Sequence, residues 1–211
     1  MTSRRAILCY GDSNTWGYQA LSAHRLPYHQ RWTGVLAGHL GDNYLVIEEG
    51  LPGRTTVWDD PIDAYHSGKT YLTPCLASHA PLHMVIILLG TNDLKSRFGL
   101  GAYDIALGAG MLAQMAQRSE TGPNGTPPDV LLVSPPPLGD IPEEIAPLFE
   151  GGRDKSIQMV AYYRHVAEQI GCRFMDAGAI LTVDPRDGVH WTPAGHAAFA
   201  AQMAQHIRDH G

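Results

Sequence analysis

The sequence predicts an α/β fold built on a five-stranded parallel sheet, and two observations carry that expectation. Five short runs rich in apolar and β-branched residues lie at 6–10, 44–48, 84–89, 130–133 and 173–175, and the intervals between them are long enough to hold crossover helices. Hydrophobicity along the runs is nearly continuous rather than alternating, which is what strands covered on both faces require. Helices are expected at 31–40, 72–78, 105–119, 155–170 and 193–209. The last has the clearest start signal. Thr192 can cap its first amides, and Pro193 stands at the first helical position, where a missing N–H costs nothing. His190 therefore belongs to a loop just before a helix. Segments 19–30 and 135–152 read as irregular, the second carrying Pro135-Pro136-Pro137 and Gly151-Gly152. Loops of this length at the carboxyl side of parallel strands line a site or a subunit contact as readily as they merely connect.

With 211 residues, 44% of them apolar, the chain suits a single domain whose core needs no staples. No internal repeat or domain boundary interrupts it. A net charge of -6 without a basic cluster argues against nucleic acid and against a polybasic membrane anchor. No stretch approaches the roughly 18 apolar residues of a membrane helix. Cys9, Cys75 and Cys172 are odd in number and lack paired spacing, the pattern of reduced thiols in a cytoplasmic protein.

Three remote segments carry chemistry. Ser13 follows the first apolar run in Gly11-Asp12-Ser13-Asn14, where a buried strand ends and a side chain emerges at the sheet's edge. A serine hydroxyl needs a base during attack, and a histidine held by a carboxylate supplies one. Asp187 and His190, three residues apart, can fill those roles on one turn. Asn92, after the third run, offers a side-chain amide to a developing oxyanion. In the common doubly wound order its strand neighbours the first. Gly53 and Ser13 itself add backbone N–H groups. Asp12 and Trp16 are the candidate substrate-binding wall, Asp12 more as a hydrogen-bonding brace for the nucleophile turn than as an acid. Asp63-Ala64-Tyr65-His66 repeats the Asp-x-x-His spacing within a turn-rich stretch and reads as a solvated surface pair. His79 and His83 have the spacing of two metal ligands on a helix, but Pro81 lies between them, so no metal site is assigned. A flavodoxin-like phosphate-binding module is the competing class. Asp12 would repel the anion, and the turn lacks the glycine-rich signature of such loops.

Taken together, the four blocks around Ser13, Gly53, Asn92 and Asp187-Gly188-Val189-His190 resemble the GDSL, or SGNH, hydrolase family. The resemblance implies a flavodoxin-like three-layer α/β/α sandwich, with Ser13 as nucleophile, His190 as base and Asp187 as its orienting partner. It further implies Ser13, Gly53 and Asn92 as oxyanion donors, no metal or organic cofactor, and a homo-oligomer. The implied substrate is a small-molecule ester with a short, acetyl-type acyl group, with an alcohol as a second acceptor and carbohydrate O-deacetylation as the alternative on the same machinery. Arg31-Trp32-Thr33-Gly34, Arg54-Thr55-Thr56, Ser134-Pro135-Pro136-Pro137 and Phe149-Glu150-Gly151-Gly152 are similar to an aryl-esterase branch of the family. Asn14 stands where leucine is usual, Gly53 where that branch carries alanine, and 19–30 shows little similarity.

Overall fold

The structure, a computed structural model, describes residues 4–210. Five strands, β1 (Arg5–Gly11), β2 (Tyr44–Gly50), β3 (Met84–Leu88), β4 (Asp129–Ser134) and β5 (Arg173–Asp176), form one sheet in the order β2-β1-β3-β4-β5. Every neighbouring pair runs parallel. The expected runs are thus all strands, most of them longer by a residue or two. All five residues of β3 are buried, as befits the sheet's centre.

Helices cover both faces. α2 (Trp32–Leu40) and α6 (Pro193–His210) pack on one side, around Trp32, Trp191, Phe199 and Met203. On the other lie α3 (Gly68–His79), α4 (Ala102–Gln117) and α5 (Gly152–Ile170), around Leu72, Leu112, Met159 and Tyr163. The three layers match expectation. α6 buries Gly195, His196, Phe199, Ala200, Met203, Ala204 and Ile207, the three- and four-residue spacing of one helix face. Its start is as expected, since Gly195 N–H donates to Thr192 Oγ1 at 3.1 Å. Truncating Ile86, fully buried in β3, to alanine would cost about 2–5 kcal/mol.

Three helices begin earlier than their sequence suggests, α4 at Ala102 rather than residue 105 with the Gly101 amide on the Asp104 carboxylate. α3 starts at Gly68, not residue 72, because the Gly68 and Lys69 amides find the carbonyls of Thr55 and Thr56 at 3.1 Å each. α5 starts at Gly152, where a side chain would press on Leu138 and on the Leu94 carbonyl. Glycine is a poor helix former, so only tertiary partners favour the starts at Gly68 and Gly152. A further departure is the one-turn helix α1 (Ser13–Trp16), too short for a periodic signal.

β1 and β2 both end on glycine, at Gly11 and Gly50, opposite one another in register. A Cβ on Gly11 would sit 2.1 Å from Thr15 Oγ1, and one on Gly50 2.2 Å from Trp16 N. The two glycines let α1 dock against the strand ends, which puts residue 13 at the carboxyl edge of the sheet.

Candidate active site

Asp12 caps α1: its Oδ1 accepts the Asn14 amide at 2.9 Å, while Thr15 and Trp16 amides reach the Asp12 carbonyl. Ser13 is the first residue of the helix, so its own N–H has no partner within the helix. The Asp12 carboxyl is buried, which pushes its pKa up to about 6 against the pull of the Asn14 amide and of nearby His190 and Arg54. It is a brace under the turn, 1% exposed, with no free face for a substrate.

The histidine arrives from the loop before α6. Gly188 has φ of +69°, and a Cβ there would meet the Asp140 carbonyl at 2.4 Å, so the tight turn needs glycine. That turn aims the amides of Val189 and His190 at Asp187 Oδ1, each at 2.9 Å. Oδ2 is left for His190 Nδ1 at 2.7 Å. Burial alone would raise the Asp187 pKa, but the His190 ring and the two amides hold it below the ordinary carboxylate value. With Nδ1–H committed to the carboxylate, Nε2 faces Ser13 Oγ at 3.0 Å. Residues 177 positions apart meet in one relay.

Asn14 locks the two halves together. Its Oδ1 accepts the Trp191 amide at 3.0 Å and its Nδ2 donates to the Val189 carbonyl at 3.4 Å, so one buried side chain grips the backbone on either side of His190. From outside, the Gly139 amide donates to the Gly188 carbonyl at 2.8 Å. The 135–152 loop thereby braces the histidine turn, and beyond it holds a surface hollow of about 700 Å³ lined by Asp140, Ile141, Pro147 and Arg153.

Asn92 leaves β3 beside the end of β1, where Gly11 aligns with Leu88. One of its amide hydrogens is anchored on the Arg54 carbonyl at 3.1 Å, and the other has no acceptor among the described residues. Arg54 is 3% exposed, donates to the carbonyls of Gly11 (2.9 Å) and Glu49, and lies 4.2 Å over the Tyr10 ring. It thereby ties the ends of β1 and β2 to Asn92, with Gly53 as its chain neighbour. Gly53 has φ of +83°, and a Cβ there would press on the His66 ring at 2.9 Å. Behind Asn92, Asp93 accepts the Thr56 amide at 3.0 Å and hydroxyl at 2.5 Å, its carboxyl pushed up to about 6 by burial.

Trp16 is half-buried. Tyr18 stacks on His190 with ring centroids 4.2 Å apart, and the Trp16 ring lies 6.4 Å from that of Tyr18. Arg25, from the 19–30 loop, closes over Trp16 at 5.1 Å and donates to its carbonyl. Sequence reasoning missed Tyr18, Arg54 and the role of Asn14. Only Asn14 carried a signal, a polar side chain in a turn where leucine is usual.

Chemically, the arrangement can deprotonate a hydroxyl beside several amide donors. The family model described as GDSL-like lipase/acylhydrolase matches residues 9–198. Among solved structures, the native aryl esterase of M. smegmatis superposes with a TM-score of 0.93 at 42% identity, over 97% of this chain and 99% of that one. A carbohydrate acetylesterase from Sinorhizobium meliloti gives 0.94 at 41% identity, over 98% and 99%. Comparison with curated proteins gave no match.

Proposed function

The chain belongs to the GDSL-like lipase/acylhydrolase family and is an ester hydrolase, and we propose that it releases short acyl groups, acetyl foremost, through an acyl-enzyme at Ser13. Ser13 Oγ attacks the ester carbonyl carbon as His190 Nε2 takes its proton, and Asp187 holds the ring and stabilises the imidazolium. The carbonyl oxygen becomes an oxyanion received by the Ser13 and Gly53 amides and the free amide hydrogen of Asn92. Collapse expels the alcohol, protonated by His190. Water then attacks the acyl-enzyme with His190 again as base, returning Ser13 and a carboxylic acid. The Ser13–His190–Asp187 relay, at 3.0 and 2.7 Å, carries this reading.

The half-buried row of Tyr18 and Trp16 beside the base supplies an apolar wall on which an alcohol can compete with water, so acyl transfer is part of the proposal. Substrates are small acetylated molecules, aryl or carbohydrate, as the names of the two similar enzymes suggest. Among the described residues no helix is long and apolar enough to cross a membrane. Three unpaired thiols suit the cytoplasm. Assembly into a homo-oligomer is also proposed, since Tyr103, Leu107 and Met111 leave a part-exposed apolar stripe along α4.

The test is a panel of acetylated sugars, aryl acetates and longer acyl esters, run with Ser13→Ala as control and repeated with added alcohol. Acetyl esters should turn over fastest, the variant should be inert, and some acetyl should appear on the alcohol. Equal turnover by Ser13→Ala would overturn the assignment, and hydrolysis undiverted by alcohol would remove the transfer step.

A further inference from the structure

On the α3 side of the sheet, away from the serine relay, Glu49, Cys75 and His79 bring a carboxylate oxygen, a thiol sulfur and an imidazole nitrogen within 4.8 Å of one another. The sequence pairs His79 with His83. The fold instead ends α3 at His79 and turns its imidazole back toward Cys75, one helical turn earlier on the same face. The third group is Glu49, the next-to-last residue of β2. His79 Nε2 stands 2.9 Å from Glu49 Oε1, and the Cys75 sulfur lies within 4.8 Å of the ligand atoms of both. Thiol and imidazole thus face one carboxylate around the space a cation would fill.

We propose that Glu49, Cys75 and His79 form a zinc(II) site, separate from the esterase centre, that pins α3 to the end of β2. Three observations support a zinc site, the first of them on the choice of ion. One sulfur, one imidazole and one carboxylate form a borderline-soft donor set that suits zinc and disfavours calcium or magnesium. Zinc bond lengths of about 2.0–2.3 Å put tetrahedral ligand atoms about 3.3–3.8 Å apart, so closure needs a movement of about 1 Å by side chains that end a helix and a strand. Finally, Cys75 is fully buried while His79 and Glu49 are 30% and 19% exposed, which leaves a path for the ion and a fourth position for water. Thiolate and carboxylate neutralise the ion. On binding, the thiol releases one proton to solvent, and the imidazole gives up the Nε2 proton it shares with Glu49 for one on Nδ1, leaving Nε2 for the metal. Arg54, the neighbouring cation, is already committed to the Gly11 and Glu49 carbonyls.

Zinc titration of the metal-free protein by calorimetry should give one site per chain, and cobalt(II) should produce a thiolate-to-metal charge-transfer band. Cys75→Ser should abolish the band. His79→Ala, at a part-exposed helix end where folding is not at stake, should weaken binding at least tenfold. Zinc should raise the unfolding midpoint of the native protein and not that of either variant. The competing zinc binders are other histidines, such as the half-buried His206 stacked on the exposed His210 of α6. Stoichiometric binding that survives Cys75→Ser and His79→Ala but disappears in His206→Ala/His210→Ala would overturn the proposal, as would the absence of stoichiometric binding.

Discussion

Two segments of this chain read Asp-x-x-His, and they fold differently. In Asp187–His190 the left-handed residue is the second, Gly188, and the turn directs two amides and the imidazole at one carboxylate. In Asp63–His66 it is the third, Tyr65, with φ of +65° and 96% exposure. There His66 Nδ1 donates to the Asp63 carbonyl at 3.0 Å, and the Asp63 carboxylate turns away to Arg97 at 3.2 Å. Spacing is identical; what differs is the position of the one residue at positive φ, glycine in the first pair and tyrosine in the second, and whether other chain segments grip the loop. Asn14 holds the first from both sides, while the His66 ring rests against Gly53.

Substitutions can break or sharpen that contrast. The largest effects belong to the relay. Ser13→Ala and His190→Ala should each lower turnover on the order of 10⁴-fold or more, and Asp187→Asn by about 10⁴ through the wrong tautomer. Steady-state kinetics on an acetyl ester reads all three. Only a neutral imidazole accepts a serine proton, so turnover should also fall on acidification, and a rate that does not fall would remove His190 from the base role.

Asn92→Ala should cost about 10²–10³ in turnover, the usual loss of one oxyanion donor. Asn14→Leu should cost roughly 10-fold or somewhat more, mostly in kcat, because the base loses its register and not its chemistry. An unchanged kcat would show that the Gly139 brace alone suffices. Asp63→Asn and His66→Ala should stay within about twofold, as surface changes do. If His66→Ala matched Asn92→Ala, the second pair would belong to the oxyanion side, acting through Gly53.

The smallest effect is on stability. Burial lowers the His196 pKa from 6.5 to about 3, so across that window the unfolded chain binds a proton the folded one does not. Its contribution is full above about pH 6.5 and is lost on acidification. Asp12 and Asp93, raised from 3.8 to about 6, act in the opposite sense, since the folded state gains stability as pH falls through 6. His196→Asn keeps an acceptor for the Trp32 amide. It should reduce the loss between pH 7 and pH 5 by on the order of 1 kcal/mol in denaturant melts.

Much of this molecule was legible beforehand. Strands covered on both faces leave uninterrupted apolar runs, and Thr192-Pro193 announces α6 because caps act within a few residues. The candidate nucleophile, base and carboxylate were named from local pattern. The starts of α3 and α5 were not, because their amides and glycines are satisfied by residues far along the chain. Tyr18 and Arg54 escaped for the same reason: a stacking partner and a carbonyl clasp leave no trace in spacing.

The amino-acid order determined the α/β layering and the kinds of groups available, since burial and capping operate over a few neighbouring residues. The approach of His190 to Ser13, the stacking of Tyr18 on His190, and the facing of Cys75 and His79 toward Glu49 were decided only by tertiary packing. Those contacts span tens to hundreds of residues, and their distances depend on how whole strands and helices are set against one another.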